Sequence, residues 1–484
     1  MKASLPFPFT EHHPRFRIPG WSVLLGPERS IEATEMARHF LITGETGSGK
    51  SASAVMRLLE GILRYPEDEA YRVYADALKD KAEPRADLKP AVLVVDPKRE
   101  LAEIALREAH GRRLVRIAYG ENGPVLHLFE GQDMEKLGPF EVMDLILGQS
   151  NFYTLDQQST REPIWNLQAA SALRDLVSID MWLMKRGRKL VPELWDGVRK
   201  RMCGSTEYAS FLGNLNYDAV NYFKPHSTLM SLCGEDSCVP LACYLDAADK
   251  LKVPGELKAR LFTLMSLTHT TRSGVVWMIN GILSDLSSEE LASCVSLNPL
   301  EAPPADRMLS VKDVLEKGDL VVYVPTASPI ADIVGRCLKS KFFEFAFERE
   351  NKVRPFFYVV DEAHRFITAG EKDGEQSLLD RCRAYRTGVV LATQSLASMA
   401  YRLDHSAAGK NSLQIIVNNC GNALYFRTTD IQTQENVEQR IPGPPVPNRP
   451  HVVKVRPLSS LGVGQCYALR CDGTWGLFKV QLSV

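Results

Sequence analysis

An apolar run, His39-Phe40-Leu41-Ile42-Thr43, breaks at Gly44-Glu45-Thr46-Gly47-Ser48-Gly49-Lys50-Ser51 and resumes as Ala52-Ser53-Ala54-Val55-Met56-Arg57-Leu58-Leu59. The first segment has the pattern of a buried strand and the last that of an amphipathic helix. Between them, Gly44, Gly47 and Gly49 let the backbone fold so tightly that successive N–H groups point inward at a polyphosphate. Lys50 is spaced to reach the β- and γ-phosphates and the Ser51 hydroxyl to ligate Mg²⁺, while the helix turns its positive end on the same charge. Gly44 to Ser51 therefore spell a phosphate-binding loop.

Such a loop needs a parallel sheet behind it. A second buried strand is written in Ala91-Val92-Leu93-Val94-Val95, and it stops at Asp96-Pro97-Lys98-Arg99-Glu100, where proline ends the ladder and the charges are expected to face water. A helix over 101–110 and a strand at Leu114-Val115-Arg116-Ile117 follow. The alternation returns with strands at Leu320 to Val324, Phe356 to Val360, Gly388 to Ser395 and Asn422 to Arg427, and with a helix over 333–347. Strand and helix repeated in this way predict an α/β fold with a doubly wound, largely parallel sheet.

Between Pro139 and Asp285 apolar residues recur at helical spacing, as in Ile164 to Leu173, which predicts an all-helical insertion. The expected division is a lead-in segment 1–38 with a short strand at Ser22-Val23-Leu24-Leu25, a nucleotide-binding part 39–138, the insertion 139–285, and a second nucleotide-binding part 286–484. That last part closes with a β-hairpin, Cys466 to Arg470 and Gly476 to Val480, turning at Asp472-Gly473. Residues 76–89 read as a solvated charged helix and loop, and the proline-rich 441–447 as an extended surface connection.

Composition removes some alternatives. No window holds the eighteen or so apolar residues of a membrane helix, and the N-terminus has two prolines and no long apolar region, so a cytoplasmic chain is expected. A net charge of −1 leaves any nucleic-acid contact to local patches such as Lys185 to Lys189 and Arg199 to Arg201. Of ten cysteines only Cys233, Cys238 and Cys243 lie close together, at a spacing unlike that of zinc sites, and reduced, buried thiols are expected.

Nucleotide hydrolysis needs a carboxylate to organise the metal and a second polar group to orient the attacking water. Asp361 and Glu362, directly after five apolar residues, supply both, so the metal ligands are expected to be Ser51 and Asp361. Gln394, at the tip of the next strand, can touch the γ-phosphate or its water, or else satisfy loop backbone. Arg381, Arg383 and Arg386 lie between these strands, either as a solvated basic helix face or as guanidinium groups for a neighbouring subunit's site.

Taken in order, Gly44 to Ser51, Asp96-Pro97-Lys98 with Glu100, the helical insertion, Asp361-Glu362 and Ala392-Thr393-Gln394-Ser395 resemble the TraD/TraG-like type IV secretion coupling proteins, within the HerA/FtsK group of hexameric pumping ATPases. The likeness runs from about Ile18 onward. Its specific part is the Asp-Pro-Lys strand end together with the Ala-Thr-Gln strand. The resemblance implies a RecA-like domain that binds ATP and Mg²⁺, with Lys50 and Ser51 as the Walker A pair, Asp361 and Glu362 as the Walker B pair, and Gln394 as the sensor. Arg383, eleven positions before that glutamine, matches the family's arginine finger, with Arg381 and Arg386 as fallbacks.

The resemblance further implies a homo-hexameric ring that moves DNA, with the helical insertion recognising substrate or relaxosome. Many coupling proteins carry N-terminal membrane helices, and this chain shows none. Attachment at the inner membrane would need a partner such as a secretion channel, unless the motor serves plasmid processing or phage defence. A DEAH-box helicase, suggested by Asp361-Glu362-Ala363-His364, is disfavoured by the long separation from the phosphate loop. A nucleotide-gated scaffold that docks protein substrates or an effector is the second functional expectation.

Overall fold

The structure, a computed structural model, describes residues 15–19, 31–65, 89–118, 123–132, 252–259, 288–297, 303–349, 354–368, 374–403, 407–441 and 456–480, with shorter pieces and single positions besides. The chain divides into two compact units, one of residues 1–118, 311–327 and 338–484, the other of 119–310 and 328–337.

The first unit is built on a nine-stranded sheet. In chain order its strands are β1 Phe40–Thr43, β2 Ala91–Val95, β3 Leu114–Ala118, β4 Leu320–Val324 and β5 Phe356–Val360. β6 Thr387–Thr393, β7 Asn422–Phe426, β8 Gln465–Leu469 and β9 Trp475–Lys479 complete it. Across the sheet they run β9-β8-β7-β1-β6-β5-β2-β4-β3. From β7 to β3 every pairing is parallel, and the hairpin of β8 and β9 adds two antiparallel strands at the β7 edge.

Parallel strands covered on both faces are apolar without alternation, and every residue of β2, β4 and β5 is buried. Phe40 and Ile42 of β1, Val92 and Val94 of β2, Val359 of β5 and Val390 of β6 face helices α1 Met56–Arg64 and α2 Glu100–Arg107, meeting Leu58, Leu59, Ile62, Leu101 and Ile104. On the other face, Phe342 and Phe343 of α3 Pro329–Glu348 set their rings 5.7 to 6.0 Å from those of Phe356 and Tyr358. Each such side chain contributes about 1.5–3 kcal/mol through burial, which holds the layers together. Among the described residues the unit also holds helices α4 Glu375–Cys382, α5 Leu396–Leu403, α6 Ala407–Asn419 and α7 Ile431–Arg440, with shorter ones at Ala33–Met36 and Val311–Glu316.

Register carries the functional consequence. Thr43 stands opposite Thr393, Val360 opposite Leu391, and Val95 opposite Val360, so β1, β6, β5 and β2 all end at one edge of the sheet. Gly44, Gln394, Asp361 and Asp96 are the residues that follow them.

Several local expectations change in detail. The helix after β2 ends at Arg107, because His110 and Gly111 turn the backbone left-handed at φ +48° and +76°. The helix expected over 333–347 begins earlier, at Pro329, whose fixed φ suits a first turn. The terminal hairpin turns at Asp472-Gly473 as expected, with Gly473 at φ +83°. Of the strand expected at Ser22 to Leu25, Leu24 is helical and the other three positions lie outside the described residues; the lead-in strands are Arg15–Phe16 and Ile31–Glu32, paired antiparallel. The proline-rich connection is not wholly a surface segment: Ile441 is buried and Pro445–Val446 pairs with Arg449–Val453.

In the second unit, Val125–His127 pairs in parallel with Val295–Ser296 and with Met308–Leu309, and helix Glu289–Cys294 starts at Ser288, whose side chain accepts from the Leu291 N–H. Most of 139–285 lies outside the described residues, as do the basic clusters at 185–189 and 199–201, Cys233, Cys238 and Cys243, and residues 76–88. Regular structure among the positions described between 139 and 285 is helical. No helix among the described residues is long and apolar enough to cross a membrane.

Candidate nucleotide site

The loop after β1 is shaped by what its glycines permit. Gly47 and Gly49 lie at φ +79° and +90°, which side chains resist. A Cβ on Gly44 would fall 2.6 Å from Cβ of Phe426 and 2.7 Å from Oγ of Ser48, so only glycine lets β7 pass this close. Neighbouring backbone clamps the loop. The N–H of Glu45 donates to the Arg427 carbonyl and that of Gly464 to the Ser48 carbonyl, both at 2.9 Å. The Glu45 side chain accepts from Arg427 Nε at 2.7 Å, Thr46 is exposed, and Ser51–Val55 opens the following helix with a wide π turn.

Ser48 Oγ and Thr43 Oγ1 are buried here without a hydrogen-bond partner among the described residues. Such orphaned hydroxyls cost about 1–3 kcal/mol each, and a polar ligand in the loop would relieve the one on Ser48. The glycine cradle, this hydroxyl and the buried ammonium of Lys50 fit a polyphosphate. Burial holds Lys50 below its usual range, with Asp361 and Glu362 opposing that shift.

The two carboxylates meet this loop from β5. Ser51 Oγ donates to Asp361 Oδ2 at 3.2 Å, which sets a hydroxyl and a carboxylate side by side as a hard divalent cation requires. Lys50 Nζ lies 3.8 Å from Glu362 Oε1, and Gln394 Nε2 donates to Glu362 Oε2 at 3.1 Å. Glu362 itself has left-handed backbone, φ +53°, a strained conformation of the kind that clusters at functional sites. Burial alone would raise its carboxyl, but the Lys98 hydrogen bond and the charges of Lys50 and Lys98 hold it below the usual range. His364 Nδ1 lies 3.7 Å from Glu362 and 3.3 Å from Thr393 Oγ1; burial lowers its affinity for a proton despite that carboxylate.

Lys98 is the residue that sequence reasoning left out of the site. Its Nζ lies 3.0 Å from Asp361 Oδ2 and 2.7 Å from Glu362 Oε1 although the residue is exposed, and of the charges after β2 it is Asp96 that does not face water. The reason is the turn. Asp96 is fully buried, accepts the N–H of Lys98 at 3.1 Å and that of Ala102 at 2.8 Å, and with Arg99 at φ +68° folds the chain back over the end of β5. Burial pushes Asp96 up to about 6 against those N–H bonds. The Asp-Pro-Lys tripeptide was the available signal.

Arg383 is placed elsewhere. It is exposed, makes no side-chain hydrogen bond or ion pair among the described residues, and precedes β6, whose seven residues separate it from Gln394 by roughly 20 Å. Arg381 stacks over the ring of Phe347 at 4.2 Å, and Arg386 is left-handed at φ +48°.

A glycine loop on β1, paired carboxylates ending β5 and an amide ending the strand between them give the sheet the RecA-like P-loop fold. No protein-family model matches the chain, and no curated protein matches it in sequence. Solved structures share its fold. Plasmid coupling protein TrwB in complex with ADP and Mg²⁺ is 13% identical with a TM-score of 0.55, over 97% of this chain and 94% of that one. TrwB with the GTP analogue GDPNP is likewise 13% identical at 0.54, over 98% and 90%. The unbound bacterial conjugative coupling protein TrwBdeltaN70 is again 13% identical at 0.54, over 98% and 89%. The chain thus has the coupling-protein fold expected from its motifs.

Proposed function

We propose that this chain is an ATP-hydrolysing motor of the coupling-protein type, which moves DNA in conjugative transfer or type IV secretion as a ring of six. The observation that carries the reading is the convergence of Lys50, Ser51, Asp361, Glu362 and Gln394 at one sheet edge. TrwB has been solved with ADP and Mg²⁺, which supports the same ligands here.

In this mechanism the loop N–H groups and Lys50 hold the phosphates. Ser51 and Asp361 would hold Mg²⁺, which neutralises charge on the phosphoryl oxygens when bound. Glu362, kept ionised by its lysines, accepts the proton of the attacking water, and Gln394 fixes the carboxylate's direction. Arg383 sits too far from its own subunit's loop to act there, which suits a finger directed at a neighbour's nucleotide. The ring would work in the cytoplasm, with a relaxosome, channel or effector protein as its partner.

The test is the ATPase rate against protein concentration, with and without single- and double-stranded DNA, for the wild type, Glu362→Gln and Arg383→Ala. A rate per subunit that rises with concentration and with DNA, and is lost in both variants, is expected. A rate indifferent to DNA and to Arg383 overturns the motor and leaves a nucleotide-gated scaffold.

A further inference from the structure

Resting on the reading of Ser51 and Asp361 as metal ligands, we propose that Lys98 is a built-in cation that occupies the carboxylate pair until nucleotide and Mg²⁺ arrive, and that metal loading displaces it from Asp361. Its ammonium bridges both carboxylates, at 3.0 and 2.7 Å, and the Asp361 oxygen it touches is the one that accepts from Ser51. Lys98 and the candidate metal therefore compete for one oxygen atom.

Charge explains the need. The Asp361 and Glu362 side chains are 2% and 8% exposed, so without a counter-ion the adjacent carboxylates would repel strongly in a poorly solvated site. Lys50 and Lys98 bring two positive charges to two negative ones. A divalent ion entering beside both lysines leaves an excess of positive charge, unless phosphate enters with it or one lysine leaves. Lys50 is 3% exposed, whereas Lys98 is 34% exposed on a flexible four-carbon stem and can swing to water or keep only Glu362. Bare metal is then held weakly, and metal that comes with phosphate is held well.

The turn shows that the placement is built. Asp96 fixes the Lys98 N–H, and left-handed Arg99 sends the chain away immediately afterwards, which aims the lysine at β5. Lys98 is thus a positioning residue that acts through Asp361 and Glu362.

The experiment is Mn²⁺ binding without nucleotide, followed by electron paramagnetic resonance, for the wild type, Lys98→Met, Lys98→Gln and Lys98→Arg. Calorimetry of ADP with Mg²⁺ on the wild type runs in parallel. Removing one positive charge about 3 Å from the metal's oxygen should tighten Mn²⁺ by about tenfold or more in Lys98→Met and Lys98→Gln, and Lys98→Arg should stay near wild type. The neutral variants should also melt lower without metal and recover when Mn²⁺ is added. Equal or weaker Mn²⁺ binding in whichever neutral variant folds, beside a wild type that binds ADP with Mg²⁺, overturns the role of Lys98 and leaves the nucleotide site standing. A wild type that binds no nucleotide with Mg²⁺ overturns the function and this inference together.

Discussion

Ser51 and Asp361 are 310 positions apart in the chain, yet the hydroxyl of one donates to the carboxylate of the other at 3.2 Å. β6 lies between their strands and sets the gap, through Thr43 opposite Thr393 on one side and Leu391 opposite Val360 on the other. Asp361→Asn keeps the shape and removes the charge a divalent ion needs. ADP affinity, measured with and without Mg²⁺, should become insensitive to the metal, and hydrolysis should fall roughly a hundredfold or more.

His39 should make stability depend on pH. It is buried, with Nδ1 accepting the Val389 N–H at 3.2 Å and Nε2 3.1 Å from the Leu379 carbonyl, so only the neutral ring with its proton on Nε2 satisfies both. Burial pushes its pKa down to about 4. The unfolded chain takes up this proton first as pH falls. The contribution is whole above about pH 6.5 and disappears as pH drops through 4, a swing of about 3 kcal/mol at most. Urea midpoints at pH 7.5 and 4.5 should fall further apart for the wild type than for His39→Gln.

Tyr358→Phe should stabilise the protein. The Tyr358 hydroxyl is buried in the middle of β5 without a hydrogen-bond partner among the described residues, and burial together with Glu375 drives its pKa well above the usual tyrosine value. Removing it relieves a desolvated group and leaves the ring against Phe342 and Phe343. A gain of about 1 kcal/mol is expected in urea unfolding.

Lys339 and Glu375 form a buried pair at 2.6 Å that fastens the segment after Glu362 to α4, the helix that leads to Arg383. Lys339 also donates to the Phe366 carbonyl at 2.8 Å and to Thr368 Oγ1 at 3.1 Å, while the second Glu375 oxygen accepts the Thr368 N–H at 2.8 Å. Glu375→Leu alone strands a buried charge and should cost about 3–5 kcal/mol. Adding Lys339→Met should recover much of that loss. A double variant as unstable as the single one would contradict the electrostatic account.

The strands were legible because a strand covered on both faces can hold little but apolar residues. Ala91 to Val95, Leu320 to Val324 and Phe356 to Val360 begin and end where that pattern does. Lys98 is exposed, as a charge after a proline usually is, yet its ammonium reaches both carboxylates. What brings it there is β2 lying beside β5, and nothing in either segment names its neighbour in the sheet. Eleven positions in sequence matched Arg383 to a finger for a neighbour's site, and only the fold shows that an extended strand carries it to the sheet edge opposite Gln394.

The amino-acid order alone determined the phosphate loop, the apolar strands and the carboxylate pair, since each rests on backbone freedom or side-chain character within a few consecutive residues. Tertiary structure decided which strand ends meet: Asp361 on Ser51, Gln394 on Glu362, and Lys98 between two acids. Strand order is a long-range choice, made where layers of side chains from distant segments pack together, and local sequence does not encode it.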